Sequence, residues 1–490
     1  MKLDALLHFV PTVKVAGPLT ADISSICYDS RRVQPGSCFV ALRGEKSDGA
    51  LFIRDAIEKG ATAVIAESEE PHSRATMIVV KNARLALADV AANFYQHPSK
   101  ALKIAGVTGT NGKTTVTFLL KHICETALLR CGVIGTVRYE IGERILPATR
   151  TTPESLDLQD LLWQMRSAGC KAAAMEVSSH ALDQARVRNV EFDTAIFTNL
   201  SQDHLDFHKT MEAYAEAKSR LFSGLTAQTK KAKGIFNIDD RCGSQFALRF
   251  GREMPVIGYG CGVKADFRAS NIRSDLNGTS YQLDANGRSY LVRLPMIGQF
   301  NVYNSLAAIA GAHVMGVEVR NAVLVLANAP AVPGRLQAVP GQRQFRVIVD
   351  YAHTDDALLN VVKTCRDLNP ARLIVVFGCG GNRDRSKRPR MGAVVDSHAD
   401  WAIVTSDNPR KEDPLAIIED IKPGMARGNY EVIVNRDEAI FKAIAMAQPR
   451  DIVLIAGKGH ETYQEFADHT VPFDDVAVAS RAIEGKRIEM

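Results

Sequence analysis

Apolar positions follow three successive patterns along the chain. Through residues 1–97, short apolar runs at 23–27, 38–42 and 63–66 are separated by turns such as Gln34-Pro35-Gly36, with a helix-like segment at 53–59. That pattern predicts a small mixed α/β domain. From residue 98, apolar runs at 102–105, 133–137, 172–177 and 194–199 alternate with helical segments near 154–168 and 210–224. Such alternation predicts a largely parallel sheet covered by helices. Between 264 and 296 the period changes. Asn277-Gly278 and Asn286-Gly287 each separate runs rich in Thr, Tyr, Ile and Val, which predicts hairpins and a short antiparallel sheet grafted onto the central domain. A helix over 301–315 follows. After Pro330-Ala-Val-Pro333-Gly334 the alternation resumes, with strands expected at 346–350, 372–377, 401–405, 431–434 and 452–456, an open Rossmann-like α/β domain. The fold class is therefore α/β in three domains, 1–97, 98–332 and 333–490.

Length and composition agree with this division. At 490 residues the chain exceeds what one core serves, and 46% hydrophobic with 23% charged residues suits a folded globular protein. The net charge of +5 gives no reason to invoke nucleic acid or an anionic membrane as a partner. Nine scattered cysteines lack a C-x-x-C pair and suit buried thiols in a reducing compartment. No run of about 18 apolar residues and no secretory N-terminus is present, so a cytoplasmic protein with no membrane contact is expected.

The most informative stretch is Gly106-Val-Thr-Gly-Thr-Asn-Gly-Lys-Thr-Thr115, placed after an apolar run and before apolar residues at helical spacing. A helix N-terminus offers unpaired N–H groups, glycines let the backbone close around an anion, Lys113 adds a full charge, and the Thr114 hydroxyl can ligate magnesium. The strict phosphate-loop pattern would need glycine at Val107, so this is a variant. Gly109, Thr110, Asn111, Gly112, Lys113, Thr114 and Thr115 are read as a triphosphate cradle.

Other polar clusters begin where strands are expected to end. Met175-Glu-Val-Ser-Ser-His180 and Thr198-Asn-Leu-Ser-Gln-Asp-His-Leu-Asp-Phe-His208 lie on the side of the phosphate loop. A carboxylate and a histidine converging on a triphosphate suggest magnesium. His204 and His208 stand four apart as in zinc sites, but no third ligand of the usual kind is nearby, and His208 reads better as a surface or core-satisfied residue. Lys218 reads from pattern alone as a solvated helix lysine. In the third domain, Asp350-Tyr-Ala-His353, residues 378–390, Ser406-Asp-Asn-Pro-Arg410 and Gly457-Lys-Gly-His-Glu461 share the strand-end position where ligands of such sheets bind. The basic stretch at 380–390 lacks interleaved aromatics, so small anionic groups suit it better than nucleic acid. Gly378-Cys-Gly380 lacks the third glycine of a dinucleotide turn, at Arg383, which argues against a nicotinamide cofactor.

Together, Gly109-Thr-Asn-Gly-Lys-Thr-Thr115, Glu176-Val-Ser-Ser-His180, residues 199–204, Asn301, Asn304, Pro333-Gly-Arg335, Asp350-Tyr-Ala-His353 and Asp407-Asn-Pro-Arg410 resemble the Mur ligase family over nearly the whole chain. The resemblance runs to the members that add meso-diaminopimelate to UDP-MurNAc-L-Ala-D-Glu. It implies a monomeric, ATP- and Mg2+-dependent amide ligase of peptidoglycan precursor synthesis, working through an acyl phosphate on small-molecule substrates. By the same resemblance, Ser30, Glu45, Lys46 and Ser47 would contact UDP. Thr151, Thr152, Ser178, Gln184 and Arg186 would hold the peptidyl end, with Arg150 where relatives can carry asparagine. Asn304, Arg335 and Asp350 would meet adenosine. Lys218 matches a carbamylated lysine that joins Thr114, Glu176 and His204 around magnesium, with Lys113, Glu176, His204 and Lys218 as the catalytic set. Arg383, Asp407, Asn408, Pro409, Arg410, Gly457 and Glu461 would hold diaminopimelate. Alternatives are another Mur-type or folylpolyglutamate-type ligase, or a phosphate-loop ATPase switch.

Overall fold

The computed structural model describes residues 1–44, 47–69, 74–275, 277–341 and 344–485. In the N-terminal unit a five-stranded sheet runs in the order Lys14–Ala16, Thr76–Val79, Ala63–Ala66, Ser37–Val40, Ser25–Cys27, parallel except for Lys14–Ala16. Strand period decides how it is covered. Ala63 and Ile65 face one core with Leu87 and Val90 of the helix Ala83–Phe94, and Val64 and Ala66 face the other with Ile53 and Ile57 of Ile53–Glu58.

The central unit is one eleven-stranded sheet. Its order is Arg288–Leu294, Gly278–Ala285, Phe267–Asp275, Val256–Gly260, Lys233–Asn237, Thr194–Phe197, Lys103–Thr108, Ala172–Glu176, Cys131–Ile134, Arg138–Ile141, Arg144–Pro147. From Phe267–Asp275 through Cys131–Ile134 the strands are parallel. The antiparallel hairpins are grafted onto the central domain as expected, and they join its sheet directly. Tyr259 pairs in parallel with Phe267, so the antiparallel ribbon continues the parallel sheet. The expected strand at 133–137 stops at Ile134. A Cβ on Gly135 would stand 2.4 Å from Glu176 Oε1, so the chain turns there and leads into an unanticipated hairpin at the opposite edge. The helices Lys113–Thr126 and Gln299–Val314 pack on one face, and Ser155–Ser167 and Met211–Ala227 on the other.

The C-terminal unit has six strands in the order Gln337–Ala338, Arg346–Asp350, Ile452–Ala456, Leu373–Phe377, Trp401–Val404, Tyr430–Val432, parallel after the first pair. Cores lie on both of its faces. A two-stranded hairpin, Tyr463–Glu465 with Thr470–Pro472, follows the strand Ile452–Ala456. Behind the strand ends, Arg436 and Asp475, both fully buried, form a bidentate pair at 2.8 Å, and Arg436 Nη2 also donates to the Ala456 carbonyl at 3.1 Å. That pair ties the helix Asp475–Glu484 to the loops following two strands. Among the described residues no helix is long and apolar enough to cross a membrane, and all nine cysteines are free thiols.

Candidate active site

The phosphate loop joins the strand Lys103–Thr108 to the helix Lys113–Thr126, with Gly109 at φ 144° and Gly112 at φ 88°. Both positions exclude a side chain for a second reason. A Cβ at Gly109 would lie 1.9 Å from Thr198 Oγ1, and one at Gly112 would lie 2.3 Å from Asn304 Oδ1. The helix start carries no side-chain cap, so its first N–H groups point into the loop, the arrangement that receives an anion. The neighbouring strand end braces the loop. Thr110 N donates to the Asn199 carbonyl at 2.9 Å, Asn111 N to Asn199 Oδ1 at 3.0 Å, and Thr198 Oγ1 to the Asn111 carbonyl at 2.6 Å.

Two lysines converge on one carbonyl. Lys113 Nζ donates to Gly109 O at 3.0 Å and to Thr110 O at 2.7 Å, and Lys218 Nζ donates to the same Gly109 O at 2.8 Å. Lys218 is no solvated helix lysine. It is 1% exposed and lies 4.3 Å above the Tyr214 ring. Burial pushes its pKa well below the usual lysine value and Lys113 pushes it further, so the site favours the unprotonated amine more than water does. Burial lowers Lys113 as well, opposed by Glu176 and Asp203.

Glu176, also 1% exposed, receives three hydrogen bonds: Thr114 Oγ1 at 3.0 Å, Thr136 N at 2.9 Å and Thr136 Oγ1 at 3.1 Å. Thr114 in turn accepts from Arg335 Nη2 at 3.3 Å. The Thr114 hydroxyl and Glu176 carboxylate thus form a pair of hard oxygens at the foot of the loop, a donor set that suits Mg2+. Of the other proposed ligands, His204 has φ 54° and its ring lies 6.0 Å from that of Tyr214. Desolvation lowers its pKa to about 4, with His180, Lys113 and Lys218 adding to the effect against Asp203, so its ring is neutral at pH 7. Among the described residues, no group of three His, Cys, Asp or Glu side chains forms a metal cluster by itself. His208 is buried and satisfied by Ser179 Oγ at 2.9 Å, the structural role expected of it.

The residues expected at the peptidyl end form one connected cluster. Thr152 Oγ1 donates to the Glu176 carbonyl at 2.8 Å and accepts from Ser178 N at 3.0 Å; Ser178 caps the helix Ser179–Asp183. Thr151 Oγ1 meets Thr136 Oγ1 at 3.0 Å. Arg186 donates to Thr152 O at 3.0 Å and to Gln184 Oε1 at 2.6 Å, while its Nε is buried without a hydrogen-bond partner. Arg150 is exposed, and its backbone N–H and carbonyl are both held by Tyr139 Oη. Ser30 is buried in the turn Ser30–Arg32 capped by Asp29, and its carbonyl accepts from Lys59 Nζ at 3.3 Å. Ser47 is described, but Glu45 and Lys46 lie outside the described residues. Close to Ser30, a cavity of about 370 Å³ lined by Tyr28, Asp29, Arg32, Tyr95, Asp157 and Asp160 lies where the N-terminal unit meets the helix Ser155–Ser167.

Of the residues expected to meet adenosine, Asn304 donates through Nδ2 to Asn301 Oδ1 at 2.9 Å, and Arg335 stacks over the Tyr351 ring at 4.8 Å with its Nε unpartnered. The Asp350 oxygens accept from Leu336 N at 2.6 Å and Ala352 N at 2.8 Å, so this carboxylate shapes the turn beside Arg335. Burial raises its pKa against the pull of Arg335.

Among the residues expected to hold the amino acid, Arg410 has φ 52°. Its Nε donates to Glu465 Oε2 and its Nη1 to Gly381 O, both at 2.8 Å. A Cβ at Gly380 would have Arg410 Nη1 at 3.1 Å and Arg383 Cγ at 3.9 Å, so both arginines border that glycine. Pro409 O packs against Gly381, and Asp407 Oδ2 stands 2.5 Å from where a Cβ on Gly457 would be. Sequence reasoning missed Lys458. It is fully buried, and its Nζ donates to Asn408 Oδ1 at 2.9 Å and Glu461 Oε2 at 3.1 Å, while Asn408 Nδ2 donates to Glu461 Oε2 at 2.7 Å. It also missed Thr136 and Glu465, whose roles come from contacts distant in the chain. The available signal for Lys458 was its place one residue after the strand-end Gly457.

Three family models cover most of the chain: Mur ligase family, catalytic domain, at residues 22–95; Mur ligase middle domain at 107–312; and Mur ligase, glutamate ligase domain, at 334–459. With these matches and relatives of 44–45% identity over 99% of its length, the chain belongs to the Mur ligase family. It is 44% identical over 490 residues, 99% of this chain and 100% of the relative, to the UDP-N-acetylmuramoyl-L-alanyl-D-glutamate–2,6-diaminopimelate ligase of Syntrophomonas wolfei subsp. wolfei. It is 45% identical over 488 residues, 99% of each chain, to the enzyme of the same name from Clostridioides difficile. A solved structure of a ligase of that name superposes with a TM-score of 0.72 at 34% identity, covering 99% of both chains.

Proposed function

We propose that this chain is the ATP-dependent ligase that joins meso-2,6-diaminopimelate to UDP-N-acetylmuramoyl-L-alanyl-D-glutamate, the reaction for which its full-length relatives are named. The observation that carries the mechanism is the convergence of Lys113 and Lys218 on the Gly109 carbonyl, beside the Thr114–Glu176 pair. The N-terminal unit, 1–97, would hold UDP through Ser30 and the 45–47 loop, the unit 98–332 ATP, and the unit 333–490 the amino acid.

Making an amide from a carboxylate in water requires a better leaving group than hydroxide. The substrate carboxylate attacks the γ-phosphorus of ATP, giving an acyl phosphate and ADP; the amine of diaminopimelate then attacks the acyl carbon and phosphate leaves. Lys113, freed from the loop carbonyls, would neutralise the charge that develops on the transferred phosphoryl oxygens, and the uncapped helix start would cradle them. Thr152, Ser178 and Arg186 would hold the peptidyl carboxylate in line. Magnesium, when bound, would offset phosphate charge, with Thr114, Glu176, His204 and Lys218 as the residues that would hold it. Burial favours loss of the Lys218 proton, and the unprotonated amine can add CO2 and release a proton, becoming a carbamate and replacing a cation with an anionic oxygen ligand. Closure of the third unit over the loop would keep water from the acyl phosphate. The free thiols and soluble substrates accord with work in the cytoplasm.

The deciding experiment supplies ATP, Mg2+, UDP-MurNAc-L-Ala-D-Glu and diaminopimelate and follows both phosphate and the new amide. Phosphate release without the acceptor nucleotide, or with no amide formed, overturns the reading in favour of a simple ATPase.

A further inference from the structure

The C-terminal unit touches the phosphate loop through a residue that the ligase chemistry does not use. The helix Asp355–Asp367 is capped by Thr354, whose Oγ1 accepts from Ala357 N at 3.2 Å. Its first two residues are carboxylates that turn different ways. Asp355 pairs with Arg390 at 3.2 Å within its own unit. Asp356 crosses to the central unit, where its Oδ2 accepts from Asn111 Nδ2 at 3.1 Å and from Ser201 Oγ at 2.8 Å.

Both donors belong to the frame of the loop. The Asn111 backbone is fully engaged within the central unit, its N–H by Asn199 Oδ1 and its carbonyl by Thr198 Oγ1 and Asn199 Nδ2. The side-chain amide is therefore the part of the loop tip left for another unit, and its Nδ2 also meets Ser201 Oγ at 3.4 Å. Ser201 closes the opposite wall: its N–H donates to Thr110 Oγ1 at 3.0 Å, and its carbonyl accepts from that hydroxyl at 3.2 Å. One acceptor oxygen thus spans both walls of the cradle, but only when the C-terminal unit is docked.

We propose that Asp356 is a positioning residue that couples docking of the C-terminal unit to the shape of the phosphate loop; the proposal rests on reading that loop as the triphosphate cradle. What the loop needs from Asp356 is an acceptor, since both partners are donors. Its negative charge is not the useful property. The amino acid is held by the same unit as Asp356 and the phosphoryl group by the loop it grips, so this contact brings the two reactants into register.

The test uses the full-length enzyme and four variants, Asp356→Ala, Asp356→Asn, Ser201→Ala and the double variant Asp356→Ala with Ser201→Ala. Steady-state ligation is measured together with calorimetric binding of a non-hydrolysable ATP analogue. A small misplacement of reacting groups costs about 10²-fold, so Asp356→Ala should lower kcat by about that factor and weaken analogue binding by less. Asp356→Asn keeps an acceptor oxygen and should recover to within about tenfold of wild type, and Ser201→Ala should add little on top of Asp356→Ala, as expected for residues sharing one contact. A folded Asp356→Ala enzyme with wild-type kcat and analogue affinity overturns the proposal. So does Asp356→Asn no better than Asp356→Ala, or multiplicative effects in the double variant. If melting curves show Asp356→Ala unfolded, Ser201→Ala alone decides, since it removes one of the two donors and should lower kcat several-fold. Failure of wild type to form amide defeats the ligase reading instead, and the analogue-binding series still decides the role of Asp356.

Discussion

Replacing Arg410 with alanine should abolish discrimination between diaminopimelate and lysine while leaving the nucleotide steps intact. The two amino acids differ by one carboxylate on the far carbon. Arg410 Nε is committed to Glu465 and one Nη1 hydrogen to Gly381 O, which leaves the other Nη1 hydrogen and both on Nη2 for a carboxylate approaching end-on. Hydrogen bonds to charged groups contribute about 1.5–3 kcal/mol each, so two are worth about 3–6 kcal/mol. At about 1.4 kcal/mol per decade that is about 10²–10⁴-fold in kcat/KM. Glu465, whose side chain is 43% exposed, returns to water when its partner is lost and subtracts little from this. The assay is kcat/KM for each amino acid at saturating ATP and nucleotide substrate, for wild type and Arg410→Ala. Wild type that uses lysine as well as diaminopimelate, or a variant with an unchanged ratio, would refute the assignment of this loop.

Three further outcomes are expected. Lys113→Ala should abolish ligation with an unchanged melting temperature; phosphate release near the wild-type rate would remove the lysine from phosphoryl transfer. Lys218→Ala should be nearly inactive and partly rescued by short carboxylates, and wild type should lose activity when bicarbonate is stripped from the buffer, whereas indifference to both would rule out the carbamate. Arg436→Met leaves Asp475 buried and unpaired, which should destabilise the C-terminal unit by about 3–5 kcal/mol in urea unfolding; a loss under 1 kcal/mol would show that the pair contributes little.

The parts of the molecule legible in its sequence are those set by neighbours in the chain. The phosphate loop announces itself because strand, glycines, lysine and helix are contiguous, and the clusters after Asp350, Phe377, Val404 and Ala456 follow from strand ends alone. Hairpins at Asn277-Gly278 and Asn286-Gly287 are visible for the same reason, although their continuity with the parallel sheet depends on the Tyr259–Phe267 pairing, which no turn motif encodes. Lys218 is indistinguishable from a surface lysine until Tyr214 and the Gly109 carbonyl are brought over it. The family resemblance identified it where periodicity could not. Lys458, Thr136 and Asp356 act on partners many residues away, and only folding shows what they hold.

The order of strands in the central sheet has a consequence for how the protein is made. Lys103–Thr108 lies between Ala172–Glu176 and Thr194–Phe197, so it leaves the ribosome before either neighbour exists. From Thr108 to Ala172, the start of the first neighbour to be made, is 172 − 108 = 64 residues, roughly 3–13 s at roughly 5–20 residues per second. During that interval a strand destined to be buried from Ile104 through Thr108 has no sheet to join, while the N-terminal unit upstream is already complete. The nascent chain thus carries an unpaired apolar segment that needs shelter. The phosphate loop cannot take its final shape until Asn199 emerges to receive Thr110 and Asn111.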